Sequence, residues 1–352
     1  MLLKQFGGKI TKKNLQRYKK SPNWQKGCFQ NLVETFMDFK LKRMPDFIYR
    51  QIFEGKIRQP NQPLPIIPFD KKIFLNDALA PGKAKFIWYG HSVLLFRIHQ
   101  KTILLDPMLG PDSSPITPFN TPRFSENTLD LIDAFPKIDL MLITHDHYDH
   151  LDLASIQKLK TKTKKYFVGL GVKRHLVAWG VDADRITEFD WWDENIFNNI
   201  KITYTPTRHF SGRGPFSRDK SLWGGWSICT PTEKIWFSGD GGYDDHFKTV
   251  GEKLGPFDFG FMECGQYNEN WPMTHMFPEE SVQAALDAGV QKAMPVHWAG
   301  FALAQHSWTE PVERFLAAAG AVDLEVVFPK MGRICYIDTK GDGAWFDKDF
   351  AK

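Results

Sequence analysis

The segment Thr144-His145-Asp146-His147-Tyr148-Asp149-His150 puts four metal-capable side chains, His145, His147, Asp149 and His150, within six residues. Imidazole and carboxylate together suit zinc and its first-row neighbours. The segment follows the apolar run Leu140-Met141-Leu142-Ile143, where a buried strand should run out. A strand cannot aim all four groups at one ion, because its side chains alternate between faces. A loop at the strand's end can, and it holds enough ligands to serve two metals. A solvated polar loop is the plain alternative, and the apolar run in front of the segment favours the metal.

Three more residues extend the set. His209 follows Tyr204-Thr205-Pro206-Thr207-Arg208, Asp240 follows Trp236-Phe237-Ser238-Gly239, and His297 follows Ala293-Met294-Pro295-Val296. Each ends an apolar run, where a sandwich of two sheets would gather its loops. A histidine alone in such a place is ordinarily a surface or core residue. In this order behind a His-rich loop, the three read as ligands.

The elements that must position them follow from hydrophobic periodicity. Residues 86–89, 93–98 and 102–105 read as three strands joined by tight turns. Further strands are expected at 139–143, 166–169, 202–205, 221–228, 235–238, 257–262, 292–295 and 324–328. Helices are expected at 153–160, 172–179, 243–253, 278–288 and 310–319. Strands with helices between them imply two sheets covered by helices.

Residues 1–80 read as a basic N-terminal extension and 81–352 as the catalytic domain. Phe29, Leu32, Val33, Phe36 and Met37 fall at helical spacing and predict an amphipathic helix after Gly27. Pro60, Pro63, Pro65 and Pro68 then predict an extended connector. Net charge is only +4, but residues 1–50 hold twelve Lys/Arg against three Asp/Glu. Such an arm could meet an anionic surface. Composition is that of an ordinary soluble chain, 42% hydrophobic and 24% charged. The four cysteines form no C-x-x-C pair, which fits a reducing compartment. No stretch reaches the ~18 apolar residues of a spanning helix, and no signal-peptide core is visible. These features point to the cytoplasm, with peripheral contact at a membrane face as an extension of that reading.

With the metal set in place, further segments acquire meaning. The chain resembles the metallo-β-lactamase superfamily, and within it the N-acyl-phosphatidylethanolamine-hydrolysing phospholipase D family. The resemblance rests on His145–His150, Ile87-Trp88-Tyr89-Gly90-His91-Ser92, Leu105-Asp106-Pro107, the acidic double-tryptophan run Glu188–Asn195, Leu222–Ser227, Gly255–Asp258 and His297–Ala304. It covers residues 83–319, about two-thirds of the chain. It implies an α/β fold, a four-layer αββα sandwich. It assigns His145, His147 and His209 to one metal, Asp149, His150 and His297 to a second, and Asp240 to a bridge between them. The implied cofactors are two zinc ions, with manganese or iron as other ions such ligands accept. The implied activity is hydrolysis of N-acyl-phosphatidylethanolamine to N-acylethanolamine and phosphatidic acid through a metal-bridging hydroxide. Asp149 and Asp240 would then be catalytic as well as metal-binding.

Other residues near the motif carry weaker expectations. Tyr148 could donate to a phosphoryl oxygen or simply pack. His275 matches a family position near the substrate, where it could bind phosphate or protonate a leaving group; a helix-entry role is its alternative. His91 is expected to make a structural hydrogen bond, with Asp106 as partner. Asp146 is expected behind the ligands or facing solvent, and His306 on the rim. Glu263 and Cys264 stand where the family has a more apolar, Gly-containing segment, which bears on substrate identity; Cys264 is not expected to act as a nucleophile. A related hydrolase of a sugar lactone or another phosphodiester would share the same ligands. A nucleic-acid-binding module built on the basic arm is the reading from another class. It lacks aromatic–basic interleaving, so phospholipid or another phosphodiester is the expected partner and nucleic acid is not.

Overall fold

The computed structural model describes residues 2–36, 49, 58–80, 82–114, 120–339, 343 and 345–346. A two-residue hairpin, β1 (Trp24–Gln25) and β2 (Cys28–Phe29), lies near the N-terminus. Next come β3 (Lys85–Trp88), β4 (Leu94–Ile98), β5 (Lys101–Leu105), β6 (Ile138–Ile143), β7 (Thr163–Gly169) and β8 (Ile186–Phe189). With β16 (Ile334–Tyr336) these form a seven-stranded sheet in the order β16-β3-β4-β5-β6-β7-β8. A second seven-stranded sheet holds β9 (Glu194–Phe197), β10 (Ile200–Thr205), β11 (Gly225–Cys229), β12 (Lys234–Phe237), β13 (Phe259–Glu263), β14 (Lys292–Val296) and β15 (Glu325–Val326). Each sheet is antiparallel in its meander and parallel where helices intervene. Helices Leu153–Leu159 and Lys173–Ala178 serve the first sheet; His246–Leu254, Pro278–Asp287 and Glu310–Gly320 serve the second. Among the described residues, no helix is long and apolar enough to cross a membrane.

The strands are apolar on both faces because both faces are covered. Phe86, Trp88, Leu94, Phe96, Leu140 and Leu142 point between the sheets. Their neighbours Ile87, Tyr89, Leu95, Met141 and Ile143 point at the outer helices. That is the period of two, apolar in both phases, expected of central strands in a covered sheet. Phe261 sits at the middle of the interlayer, with ring centroids 5.0 Å from Phe86, 5.4 Å from Phe96 and 4.9 Å from Phe259.

Helix starts follow local chemistry. The Asp152 carboxylate accepts from Ser155 N at 2.8 Å and opens Leu153–Leu159. Pro278 leads its helix, and Glu280 reaches back to Phe277 N at 2.9 Å.

Three strands of the two large sheets escape the periodicity reading, β8, β9 and β16, as does the small hairpin β1–β2. The double-tryptophan run Glu188–Asn195 forms the end of β8, a turn and the start of β9. It is a packing device, because Trp191 Nε1 donates to Trp223 O at 2.6 Å and Trp192 N to Tyr204 O at 2.7 Å. The expected strand at 221–228 begins only at Gly225, because Leu222 N turns aside to Leu170 O of the other layer, 2.7 Å away.

The expected helix after Gly27 is not there across residues 29–36; Met37 lies outside the described residues. Lys26 and Gly27 both take left-handed φ, 53° and 83°, and make the tight turn of a hairpin. Phe29 is buried against Tyr18 and Trp24, with its N–H on Asp219 O at 2.8 Å. Tertiary hydrogen bonds thus hold the segment extended against its helical spacing. Residues 60–70 are free of regular structure, as the prolines require.

Phe261→Ala should cost about 3–5 kcal/mol of unfolding free energy, the range for truncating a core aromatic. Urea denaturation of both proteins measures this. A loss under ~1 kcal/mol would mean the interlayer collapses around the vacancy.

Candidate metal centre

The strand ends do converge. The loop after β6 carries His145 to His150, His209 follows β10, Asp240 follows β12, Glu263 ends β13 and His297 follows β14. Both sheets therefore deliver ligand-type side chains to one edge of the sandwich. His145 Nε2 and His209 Nε2 lie 2.9 and 3.2 Å from His147 Nδ1. His150 Nε2 and His297 Nε2 lie 3.0 and 2.9 Å from Asp240 Oδ2, and 3.5 and 3.4 Å from Asp149 Oδ2. Asp240 Oδ2 also lies 3.9 Å from His145 Nε2, so it stands between the two groups. The sets His145/His147/His209 and His91/Asp149/His150/His297 each bring their donor atoms within 4.8 Å of one another.

The outer atoms of these rings are already spoken for. His150 Nδ1 lies 2.8 Å from Asp106, His145 Nδ1 2.9 Å from Thr144 Oγ1, His209 Nδ1 2.9 Å from Thr274 O and His297 Nδ1 3.2 Å from Gly265 O. Fixing one ring nitrogen this way aims the other, as metal-binding histidines require. On the inner side, His150 Nε2, His297 Nε2 and Asp240 Oδ1 are buried without a hydrogen-bond partner. These atoms cluster around the carboxylates of Asp240 and Asp149, 2.9–3.5 Å from them on the imidazole side. Nitrogen and oxygen donors with lone pairs turned inward fit divalent ions of the zinc type.

Electrostatics divide the set in two. Burial, then the neighbouring imidazoles, hold His145 and His209 well below the usual histidine range. Burial also lowers His147 to about 4. These three rings are neutral donors at pH 7. Burial opposes the charge on Asp240, but His150 and His297 outweigh it and keep its carboxyl well below the usual range. His150 and His297 are held well above theirs: burial opposes this, and the surrounding carboxylates, Asp240 first, prevail.

The backbone here is strained. His91, Asp106, Gln266, His297 and Ala299 all have left-handed φ between 42° and 69°. Non-glycine residues reach that region at a cost of about 1–3 kcal/mol and cluster at functional sites. Gly265 is required where it stands, because a Cβ there would meet His297 O at 2.0 Å.

The supporting residues correct some expectations and choose between the alternatives in others. His91 Nε2 bonds Asp149 at 2.9 Å; Asp106 is instead taken by Thr144 N, Thr144 Oγ1 and His150. Asp146 does not face solvent. It is fully buried and accepts from Ser221 Oγ at 2.6 Å and Gly212 N at 2.9 Å, with His175 Nε2 at 3.1 Å. Tyr148 turns away from the site: its hydroxyl donates to Arg213 O, and the Arg213 guanidinium lies 3.9 Å over its ring. Burial pushes that phenol up to about 12. His306 is a brace, accepting from Gln266 N at 2.8 Å and stacking on Tyr267 at 4.5 Å. Cys264 is buried, with Sγ 3.6 Å from Val296 O. His275 does reach the site, with its ring centroid 5.0 Å from His209 and 5.3 Å from His297.

A cavity of about 250 Å³ opens over the centre. His147, Asp149, Asp240, His275 and His297 form its polar floor; Phe210, Trp271 and Leu303 contribute apolar walls. Sequence reading missed a clamp from the N-terminal segment. Asn31 Oδ1 accepts from His209 N at 3.0 Å, and Asn31 Nδ2 donates to His209 O at 2.7 Å. Trp223 Nε1 also donates to Asn31, at 3.0 Å. With Asn31 and His209 178 positions apart, no local signal could reveal the pair.

Comparison with known proteins agrees with this geometry. The family model for the beta-lactamase superfamily domain matches residues 101–298, more than half the chain. The chain belongs to the metallo-β-lactamase superfamily. It is a metal-dependent hydrolase of that superfamily, and the two facing sheets are the superfamily's sandwich. An uncharacterized protein of Mycobacterium tuberculosis is 37% identical over 319 residues, 89% of this chain and 84% of that one. N-acyl-phosphatidylethanolamine-hydrolyzing phospholipase D 1 of Caenorhabditis elegans is 30% identical over 223 residues, 60% of this chain and 62% of that enzyme. The solved structure of Igni18, a metallo hydrolase of the archaeon Ignicoccus hospitalis, matches with a TM-score of 0.57 at 20% identity. It covers 73% of this chain and all of that one, and it supports the fold alone.

Asn31→Ala should cost about 1–3 kcal/mol, because it leaves the buried His209 backbone groups without partners. Thermal or urea unfolding reads the loss. A change under ~0.5 kcal/mol would show that the N-terminal segment does not hold His209.

Proposed function

We propose that this superfamily member is a dinuclear metal phosphodiesterase of phospholipase D type, acting on an N-acylated ethanolamine phospholipid. The observation that carries the reading is the pair of imidazole groups on either side of Asp240, beneath one open cavity. His145, His147 and His209 would hold one ion, Asp149, His150 and His297 the other, and Asp240 would reach both. Two bound divalent ions supply a water acidic enough to attack at neutral pH, and positive charge for a phosphoryl group. His275 on the cavity wall offers a donor to a phosphoryl or departing oxygen. Phe210, Trp271 and Leu303 offer apolar contact and exclude water. Leu32, Val33 and Phe36 expose further apolar surface on the strap that borders His209. The similarity to the Caenorhabditis elegans phospholipase supports the lipid substrate. The basic N-terminal residues would favour an anionic bilayer.

The metal assignment is tested by binding and by acid. Two zinc ions per chain are expected, and Asp240→Asn should lose more than the roughly 10–100-fold that loss of a ligand's supporting partner costs. The imidazoles must be deprotonated to hold the ions, so acid should strip both. A chromophoric chelator follows the release; retention of both ions under strongly acidic conditions would contradict imidazole ligation.

The reaction assignment is tested with N-acyl-phosphatidylethanolamine in ¹⁸O-labelled water. N-acylethanolamine and phosphatidic acid should appear together, with the label in phosphatidic acid. Label in the ethanolamide would refute attack at phosphorus. Inertness toward every acylated phospholipid, beside rapid opening of a sugar lactone, would move the enzyme to the related hydrolase reading.

A further inference from the structure

Glu263 ends β13, and the strand before it is Phe259-Gly260-Phe261-Met262. Packing alone would favour another apolar residue there, since every residue of the strand is buried. A carboxylate in such a place is tolerated only with fixed donors around it. Its oxygens have them. Oε1 lies 3.0 Å from His275 Nδ1, and Oε2 accepts from Met276 N at 3.2 Å. Oε1 also lies 3.5 Å from His297 Nδ1. The Glu263 backbone is pinned as well, its N–H on Ser238 Oγ at 3.0 Å and its C=O accepting from Ser281 Oγ at 2.6 Å. The carboxylate's partners are thus the backbone and ring of the His275–Met276 turn, with the outer edge of His297 beside them.

His275 is the one half-buried ring in this arrangement, and it borders the cavity. It stacks on His297 at an interplanar angle of 13° and meets His209 edge-on at 78°. It therefore touches one imidazole from each proposed metal set. With Nδ1 committed to Glu263, Nε2 is the ring nitrogen left for the cavity.

We propose that Glu263 is a positioning residue: its carboxylate fixes the Nδ1–H tautomer and the orientation of His275, so that Nε2 is presented to substrate above the metal centre. The inference rests on the phosphodiesterase reading for the identity of that substrate. A ring displaced by an ångström can lose a rate factor of about 10². Glu263 would in this way act on turnover without touching the reacting atoms.

The test uses the zinc-loaded full chain with bis(4-nitrophenyl) phosphate as probe, and variants Glu263→Leu, Glu263→Gln, His275→Ala and the Glu263→Leu/His275→Ala pair. Glu263→Leu should lower kcat by about 10²-fold while KM changes little and two zinc ions remain bound. The double variant should be no slower than His275→Ala alone, because both changes remove one device. Glu263→Gln keeps an acceptor for His275 Nδ1–H and should recover part of the loss. It also carries the comparison if the leucine variant does not fold. A second readout is independent of hydrolysis: ring ¹⁵N NMR should find His275 as the Nδ1–H tautomer in the parent, and that preference should disappear in Glu263→Leu. Fully additive losses, or an unchanged tautomer, would overturn the proposal. So would a third zinc ion lost on substituting Glu263, which would make the carboxylate a ligand. If the parent does not cleave the probe, the phosphodiesterase reading is what has failed, and the NMR comparison still decides the role of Glu263.

Discussion

Seven ligand-type side chains are wholly or partly taken out of water at one edge of this sandwich, and the rest of the site answers that constraint. Two carboxylates and five imidazoles cannot be buried together unless each has a fixed partner behind it and a shared charge in front. Partners stand behind five of the seven: Asp106 for His150, Thr144 for His145, Thr274 O for His209, Gly265 O for His297 and His91 for Asp149. Even Asp106 is over-determined, with Thr144 N and Oγ1 at 2.8 and 2.7 Å. The Thr144 carbonyl is held in turn by the Tyr204 hydroxyl at 2.6 Å, from the opposite sheet. The His-rich loop is thus bolted to both layers.

That bolting explains why strain is tolerated where it is. Left-handed φ at His91, Asp106, Gln266, His297 and Ala299 would relax in a loose loop. Here the segments lock one another. His91 N donates to Trp298 O at 2.7 Å, and His297 N donates back to His91 O at 3.0 Å. Gln266 then ties the far side, accepting from Leu303 N and Ala304 N at 2.9 Å. The interlayer core supplies the rigid platform, and the strand ends supply the direction.

The legible part of the site was whatever the chain writes locally. His145 to His150 lie in one short loop, and His209, Asp240 and His297 each announce themselves at the end of an apolar run. Strands covered on both faces read as continuous hydrophobic stretches, so most of both sheets could be placed. β8, β9 and β16 could not, because edge strands with mixed exposure carry little periodic signal. The orientation of Tyr148 was illegible for another reason. It depends on Arg213, 65 residues away, which takes the hydroxyl and covers the ring. The N-terminal segment shows tertiary contacts overriding a local pattern: apolar residues at helical spacing became a hairpin and a clamp, because Phe29 and Asn31 found partners near residues 209–223.

The same division separates chemistry from specificity. The metal-type set comes from strand ends that the sandwich itself brings together, so any chain with this fold and these residues can assemble it. The cavity above that set is made of parts the fold does not dictate: Phe210, Trp271 and Leu303 on loops, and a bordering strap from residues 31–36. Hydrolysis needs the first group, whereas choice among phosphodiester, lactone or lipid needs the second. A ligand motif can therefore be complete while the substrate stays open. Glu263 lies at the junction, a strand residue of the scaffold whose carboxylate reaches a loop histidine of the cavity. Through it, a change in the buried sheet would be felt at the surface that meets substrate.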